Sequence, residues 1–263
     1  MRTPIVVAVA SLCSVGLIAG CSSSTKGNDD NGPSTGGQTT PSSTGPSTNA
    51  SAAPSGGQTL SSGDRRKLES DVAAAMRAAT SFHMVGAGKD DDGTPIQMDV
   101  HFGPNKKVDG TIVSNGEATK IINTGDGSIY FKAPDSVWKQ QAGDQAVRLL
   151  HGKWVKAPAD DKRFSDLTNS LDKDDFIDSL TSDDSISDDL RKVRPVIVDG
   201  TSAIEYASAS DKSQIFIAAS GPPVILKGGT LPDGLLAFTD YNKDYPFAPP
   251  PAAQTVDVSK LGN

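Results

Sequence analysis

Ile96-Gln97-Met98-Asp99-Val100-His101-Phe102 sets four apolar side chains on one side of an extended chain and three polar ones on the other. Alternation with a period of two reads as a strand that buries one face and wets the other. Gly103-Pro104-Asn105 then breaks it. Short runs follow at 108–113, 118–123 and 128–132. Between them Ser114-Asn115-Gly116 and Gly125-Asp126-Gly127 suit hairpin turns that need positive φ. The pattern is a meander of antiparallel strands with one apolar face.

Upstream, Leu68, Val72, Met76 and Ala79 recur at helical spacing. Residues 61–64 are the cap candidates, and Arg65, Arg66, Lys67 and Arg77 fall on the wet side. Downstream, the strand rhythm is interrupted. Residues 138–150 suit a helix with Ala142, Ala146, Val147 and Leu150 inward, followed by a short strand at 152–156 ended by Pro158. Phe164, Leu167 and Leu171, then Phe176, Ile177 and Leu180, mark two short amphipathic helices separated near Asp172. Strands resume at 194–198, 203–208, 214–219, 224–227 and 235–241, with Asp199-Gly200 and Gly221-Pro222 between them. Pro249-Pro250-Pro251 closes the regular structure, with a last edge segment at 256–258. Helix, strands, helices, strands with short connections indicate an α+β fold built on a single antiparallel sheet. Its apolar face needs a cover, and the helices between 138 and 180 are the available one.

The N-terminus carries an address. Arg2 gives a positive start, residues 5–19 hold no charge, and Ile18-Ala19-Gly20-Cys21 leads abruptly into Ser22-Ser23-Ser24. A charged start, an apolar run and small residues before a cut are signal-peptide anatomy. The run is shorter than the ~20 apolar residues a membrane-spanning helix needs. Small residues at 19 and 20 let an extended backbone enter a peptidase cleft, a branched residue at 18 fills a pocket, and the Cys21 thiol is the nucleophile that takes a diacylglyceryl group. The four residues resemble the bacterial lipobox. Residues 1–20 are thus expected to be removed and Cys21 to hold the rest at the outer, extracytoplasmic face of a membrane. Cys13 and Cys21 are the chain's two cysteines, so no disulfide is expected after cleavage.

Residues 21–63 read as the lipidated cysteine and a tether. The tether is rich in Ser, Thr, Gly, Pro, Asn and Gln, and Leu60 is its only large apolar side chain. Such a segment buries too little to offset the entropy of ordering it. As a flexible coil it spans roughly 35 Å. Residues 64–263 form one domain, long enough for a core. The whole chain carries a net charge of −7, or −8 without Arg2. That balance lacks the electrostatic footprint of a nucleic-acid binder.

Catalytic signatures are missing from the sequence. His83, His101 and His151 include no pair at i, i+4, so no metal site is expected. No G-x-S-x-G elbow and no phosphate loop followed by Lys-Ser or Lys-Thr appears. Eleven aspartates crowd residues 160–189, but an EF-hand loop opening at Asp172 would put Phe176 at its fifth position and Ile177 where a turn glycine is required. Asp172, Asp174 and Asp175 instead suit the start of a helix, and Ser187, Asp188 and Asp189 the start of another. Asp90-Asp91-Asp92-Gly93 suits a hairpin tip. Trp138 and Trp154 suit a binding aromatic pair or, as such residues more often serve, anchors of a core or an interface. Neither enzymatic activity nor a cofactor is expected.

Several segments together resemble a family. A helix ending in Ala79-Thr80-Ser81-Phe82 leads into the meander and Ser128-Ile129-Tyr130-Phe131-Lys132. Then come the Trp138 region, Gly152-Lys153-Trp154-Val155, Val198-Asp199-Gly200 with Glu205-Tyr206, and Phe238-Thr239-Asp240-Tyr241 before the proline-rich close. This resembles the LppX/LprG type of actinobacterial lipoprotein, related to the LolA/LolB carriers, over most of residues 64–260. The resemblance implies an antiparallel sheet curled into a half-barrel and closed by helices over an apolar cavity. It also implies a role in carrying acyl-chain lipids or lipoglycans through the envelope.

The lining candidates are Ile96, Met98, Val100, Phe102, Ile112, Ile129 and Phe131 on the strands, with Leu150, Phe164, Leu167 and Leu171 opposite. A filled core and a lined cavity need the same apolar pattern. The expected partners are the membrane, through the Cys21 lipid, and an amphiphilic lipid ligand, with the domain a monomer. The rival is a scaffold lipoprotein of the same fold whose filled core leaves its outer surface to work on an envelope membrane protein. Replacing Cys21 with Ser tests the anchor. The variant is expected in the aqueous phase of a detergent phase separation and the wild type in the detergent phase; equal partitioning would remove the lipobox reading.

Overall fold

Inward and outward side chains alternate across a sheet of thirteen strands among the described residues, which are 57–89, 93–161, 171–181 and 187–260 of a computed structural model. In chain order the elements are β1 (Gln58–Thr59), α1 (Ser62–Ala78), β2 (Phe82–Lys89), β3 (Pro95–Phe102), β4 (Val108–Ser114), β5 (Glu117–Asn123), β6 (Ser128–Lys132), α2 (Asp135–Leu150) and β7 (Trp154–Pro158). Then follow α3 (Lys173–Thr181), β8 (Arg191–Val198), β9 (Thr201–Ala207), β10 (Ser213–Ala218), β11 (Ile225–Thr230), β12 (Gly234–Thr239) and β13 (Thr255–Asp257).

Two meanders, β2 to β7 and β8 to β12, join where β12 pairs with β2. Strands β1 and β13 are the two edges, so the sheet stays open. Twelve spacings of about 4.8 Å would make a flat sheet about 58 Å wide, whereas the three α-helices among the described residues, each about 10 Å across, cover about 30 Å. The sheet curves into an α+β half-barrel. Curvature brings one continuous apolar face onto the helices.

The sheet departs from the expected one in several places. Strand β13 lies parallel to β7, which makes the sheet mixed rather than wholly antiparallel. Strand β2 begins at Phe82, where the sequence pattern placed a helix end, because Gly86 and Gly88 erase the alternation beyond Val85. Gln58–Thr59, assigned to the tether, pairs with β8, and Leu60 packs against the core. Ser187 to Asp189 start no helix; Ser187 Oγ donates to Asp211 and Asp189 accepts from Ser208 Oγ at 2.5 Å, bracing the β9–β10 connection. Residues 90–92 lie outside the described residues.

Helix α1 starts as its cap chemistry demands, with Ser61 Oγ accepting from the Asp64 N–H at 3.1 Å. Its buried stripe holds Val72, Ala73 and Met76. The stripe also holds Arg65, expected on the wet side, which meets Glu69 at 2.7 Å and Asp188 at 3.2 Å. A paired guanidinium is tolerated there where a lone one would not be. Helix α2 is kinked at Gly143, whose φ is 74°. The kink turns Ala142 outward, against expectation, and leaves Trp138 and Leu150 as the buried residues of the helix.

Helix α3 caps the end of α1, and the turn before α3 caps its start. Lys173 Nζ donates to the carbonyls of Arg77 at 3.1 Å and Ala79 at 2.7 Å, at the C-terminal end of α1. Asp172 accepts from the N–H groups of Asp174 at 2.9 Å and Asp175 at 3.3 Å, at the start of α3. Burial opposes the charge of Asp172, but Lys106 at 2.9 Å and these N–H groups outweigh it and hold the carboxyl below its ordinary range.

The β12–β2 seam depends on glycine. At Gly234, φ is 146° and a Cβ would lie 1.8 Å from the Ala87 carbonyl oxygen. At Gly86 a Cβ would lie 2.7 Å from the Leu235 carbonyl oxygen. Gly234→Ala is expected to cost at least about 1–3 kcal/mol through overpacking and strain, read as a melting point lower by about 2–4 °C per kcal/mol; an unchanged melting point would contradict the close approach. Asp172→Ala is expected to cost about 1 kcal/mol at neutral pH, as lost caps do. A carboxylate whose folded pKa is lowered contributes stability above its unfolded pKa of about 3.9 and loses it as pH falls through the folded value. The urea-midpoint gap between Asp172→Ala and wild type is therefore expected to shrink in acid; a gap constant with pH would show that the charge does not matter.

Candidate functional site

Nine of the eleven lining candidates fall in one apolar cluster: Ile96, Met98, Val100, Phe102, Ile112, Ile129, Phe131, Leu150 and Leu171, all between 1% and 8% exposed. Phe164 and Leu167 lie outside the described residues, as do Ile18, Ala19, Gly20 and Cys21. The strand residues reach the cluster through the alternation read at 96–102. Leu150 comes from the end of α2 and Leu171 from the turn before α3.

The cluster has an aromatic end that the lining list missed. Phe82 lies 4.8 Å from Phe102, 6.1 Å from Phe238 and 5.8 Å from Tyr241, between ring centroids. Phe176 of α3 stacks on Phe102 at 5.1 Å. The start of β2 and the ends of β3 and β12 bring these rings together. Only register could have revealed the set.

Within the interior, Trp138 packs 5.4 Å from Phe131 and is 6% exposed. Its indole N–H has no hydrogen-bond partner among the described residues. A buried donor left unsatisfied costs about 1–3 kcal/mol. Trp154, by contrast, is only half-buried, on β7.

At the aromatic end the chain leaves β12 as a strap, residues 240–247, across the mouth of the half-barrel. Thr80 N–H donates to Asn242 Oδ1 at 2.8 Å, Asn242 N–H to the Ser81 carbonyl at 2.9 Å, and Ser81 Oγ to the Lys243 carbonyl at 2.6 Å. Between strap and sheet lies a pocket of about 250 Å³ lined by Ser81, Phe82, His101, Phe102, Asp240, Lys243, Asp244 and Tyr245. Phe82 and Phe102 also belong to the interior cluster. Its lining combines the rings of Phe82 and Phe102, each 1% exposed, with charged and polar side chains.

On the outer face, antiparallel register sets His83 of β2 directly opposite His101 of β3. Their rings stack at 4.0 Å, and Tyr245 stacks on the other side of His101 at 3.7 Å. His83 Nε2 lies 2.8 Å from Asp99 Oδ1, and its Nδ1 lies 3.9 Å from Asp240 Oδ2. Tyr245 donates its hydroxyl to Asp109 at 3.2 Å. Burial, then the neighbouring His83, pushes the His101 pKa below the ordinary imidazole value. Burial likewise pushes the Asp109 carboxyl up, although Tyr245 and His101 oppose it. A search for helical spacing could not find this pair, because the two histidines are 18 positions apart and meet only across strands. His151 is elsewhere, 2.8 Å from Asp135.

No helix among the described residues is long and apolar enough to cross a membrane. No protein-family model matches the chain, and no curated protein sequence does. Among solved structures, the chain is similar to the LprF of Mycobacterium bovis at 15% identity and a TM-score of 0.46, over 74% of this chain and 99% of that one. It is also similar to the lipoprotein LppX of Mycobacterium tuberculosis at 16% identity and a TM-score of 0.41, over 72% of this chain and 100% of that one.

Proposed function

We propose that this chain is a lipoprotein anchored through Cys21 at the outer face of a membrane, whose domain takes up the acyl chains of an envelope lipid or lipoglycan and carries it without bond making. The observation that carries the reading is the mouth pocket. It borders Phe82 and Phe102, which also belong to the apolar interior, and Asp240, Lys243 and Asp244. An amphiphile has the same division. The pocket, at about 250 Å³, is slightly below the ~300 Å³ at which small-molecule sites begin, so it admits a headgroup or a chain end. A whole chain needs the helices to move off the sheet. Each sequestered CH₂ contributes about 0.8 kcal/mol toward that movement. The free indole N–H of Trp138 supports the same reading, since a lipid ester carbonyl would satisfy it.

One observation favours a second reading. The nine described lining candidates are almost fully buried, as in a filled core. A scaffold lipoprotein would then act through its outer surface on an envelope protein. Mass spectrometry of the gently purified, tag-free protein under native conditions separates the two. The carrier reading expects a lipid-bound mass and a shift of indole emission on titration with a lysophospholipid, the shift lost in Trp138→Phe. Apo mass alone, no emission change, and a stoichiometric protein partner crosslinked in intact cells would replace it with the scaffold reading.

A further inference from the structure

Three metal-ligating side chains meet on the outer face of β2 and β3, where the lipid reading uses none of them for ligation. Period two puts Asp99 and His101 on one side of β3, and the register puts His83 opposite His101. One donor atom from each lies within 4.8 Å of the other two. We infer that His83, Asp99 and His101 hold a divalent transition-metal ion, with solvent completing its shell.

Donor chemistry and access agree; the His83 and His101 rings, stacked at 4.0 Å with planes 8° apart, must tilt for both to reach one ion. Two imidazoles and a carboxylate suit zinc and its first-row neighbours better than calcium or magnesium, which prefer all-oxygen shells. Bonds of about 2.0–2.2 Å set tetrahedral donors about 3.3 Å apart. The 2.8 Å contact between His83 and Asp99 then opens slightly, and the wider spacings close. The ion takes the place of the proton those two side chains share. Exposure permits entry, since the side chain of Asp99 is 61% exposed and that of His83 20%.

The surroundings support the imidazoles as metal sites do. Metal-bound histidine commonly gives its second ring nitrogen to a carboxylate, which fixes tautomer and orientation. Asp240 Oδ2 stands 3.9 Å from His83 Nδ1, so closure by about 1 Å makes that hydrogen bond. Tyr245 stacks on His101 and is itself held by Asp109. Asp240 also binds Lys243 at 2.7 Å, so closure on His83 competes with this pair.

The test uses the full chain without a histidine tag, stripped with chelator and titrated with Zn²⁺ by calorimetry. One ion per chain is expected. His83→Ala and His101→Ala should each abolish saturable binding, Asp240→Asn should weaken it about 10- to 100-fold as lost outer carboxylates do, and His151→Ala should leave it unchanged. Co²⁺ bound to the wild type should show the strong visible bands of a four- or five-coordinate site. The wild-type spectrum guards against variants that fail to fold. No saturable Zn²⁺ binding, a Co²⁺ spectrum like that of the aqua ion, or equal loss in His151→Ala would each overturn the site.

Discussion

An apolar sheet face wider than its helical cover is the constraint on which this structure depends. A flat ribbon of the ten strands from β9 to β7 that feed the apolar cluster would leave much of that face against water behind the three described helices. At about 25 cal/mol per Å² of apolar surface, the exposure would outweigh most other terms in a domain of marginal stability. Curling the sheet moves its two ends toward each other and turns one long apolar strip into a wall around the helices. The edges β1 and β13 do not pair with each other, so the sheet stays open. A domain with no disulfide among its described residues holds this shape by packing and backbone pairing.

Two features join the halves of the wall. The first is the β12–β2 seam, where Gly86 and Gly234 let backbones approach more closely than side chains would permit. The second is the strap, which returns from β12 across the ends of β2 and β3 and finally adds β13 beside β7. The strap links the end of one meander to the outer strand of the other. Its hydrogen bonds with Thr80 and Ser81 fall between α1 and β2, beside the Lys173 contacts that fasten α3 to α1. Cover and strap therefore meet at the aromatic end, and a movement of α3 off the sheet would be felt first at Phe176 and Phe102.

What the sequence disclosed follows from which physics is local. Strand β3 was legible because every position from Ile96 to Phe102 carries a side chain whose polarity reports its face. Strand β2 was not, since its glycines answer to a neighbouring strand about 150 residues away in sequence and leave no polarity to read. Strand β1 has two residues, both exposed, and becomes a strand only because β8 lies beside it. Arg65 is buried because Glu69 and Asp188 accompany it, and a periodicity rule classes any arginine as wet. The interior candidates were found by alternation alone. The mouth pocket and the histidine pair were missed because both are products of register, which alternation does not specify.

Alternation also explains why two different chemistries can occupy one strand end. His101 and Phe102 are consecutive, so their side chains must point to opposite faces of β3. Phe102 enters the aromatic end of the interior, and His101 stands on the outer face between His83 and Tyr245. Both nonetheless reach the mouth pocket, because the strap folds Asp240 and Tyr245 around the end of the strand. Tyr245 belongs to the strap and stacks on His101, so the strap lies directly against the outer face. The strap's hydrogen bonds to Ser81 lie one residue from Phe82. The faces are separate in polarity and joined through the strap's backbone hydrogen bonds to residues 80 and 81.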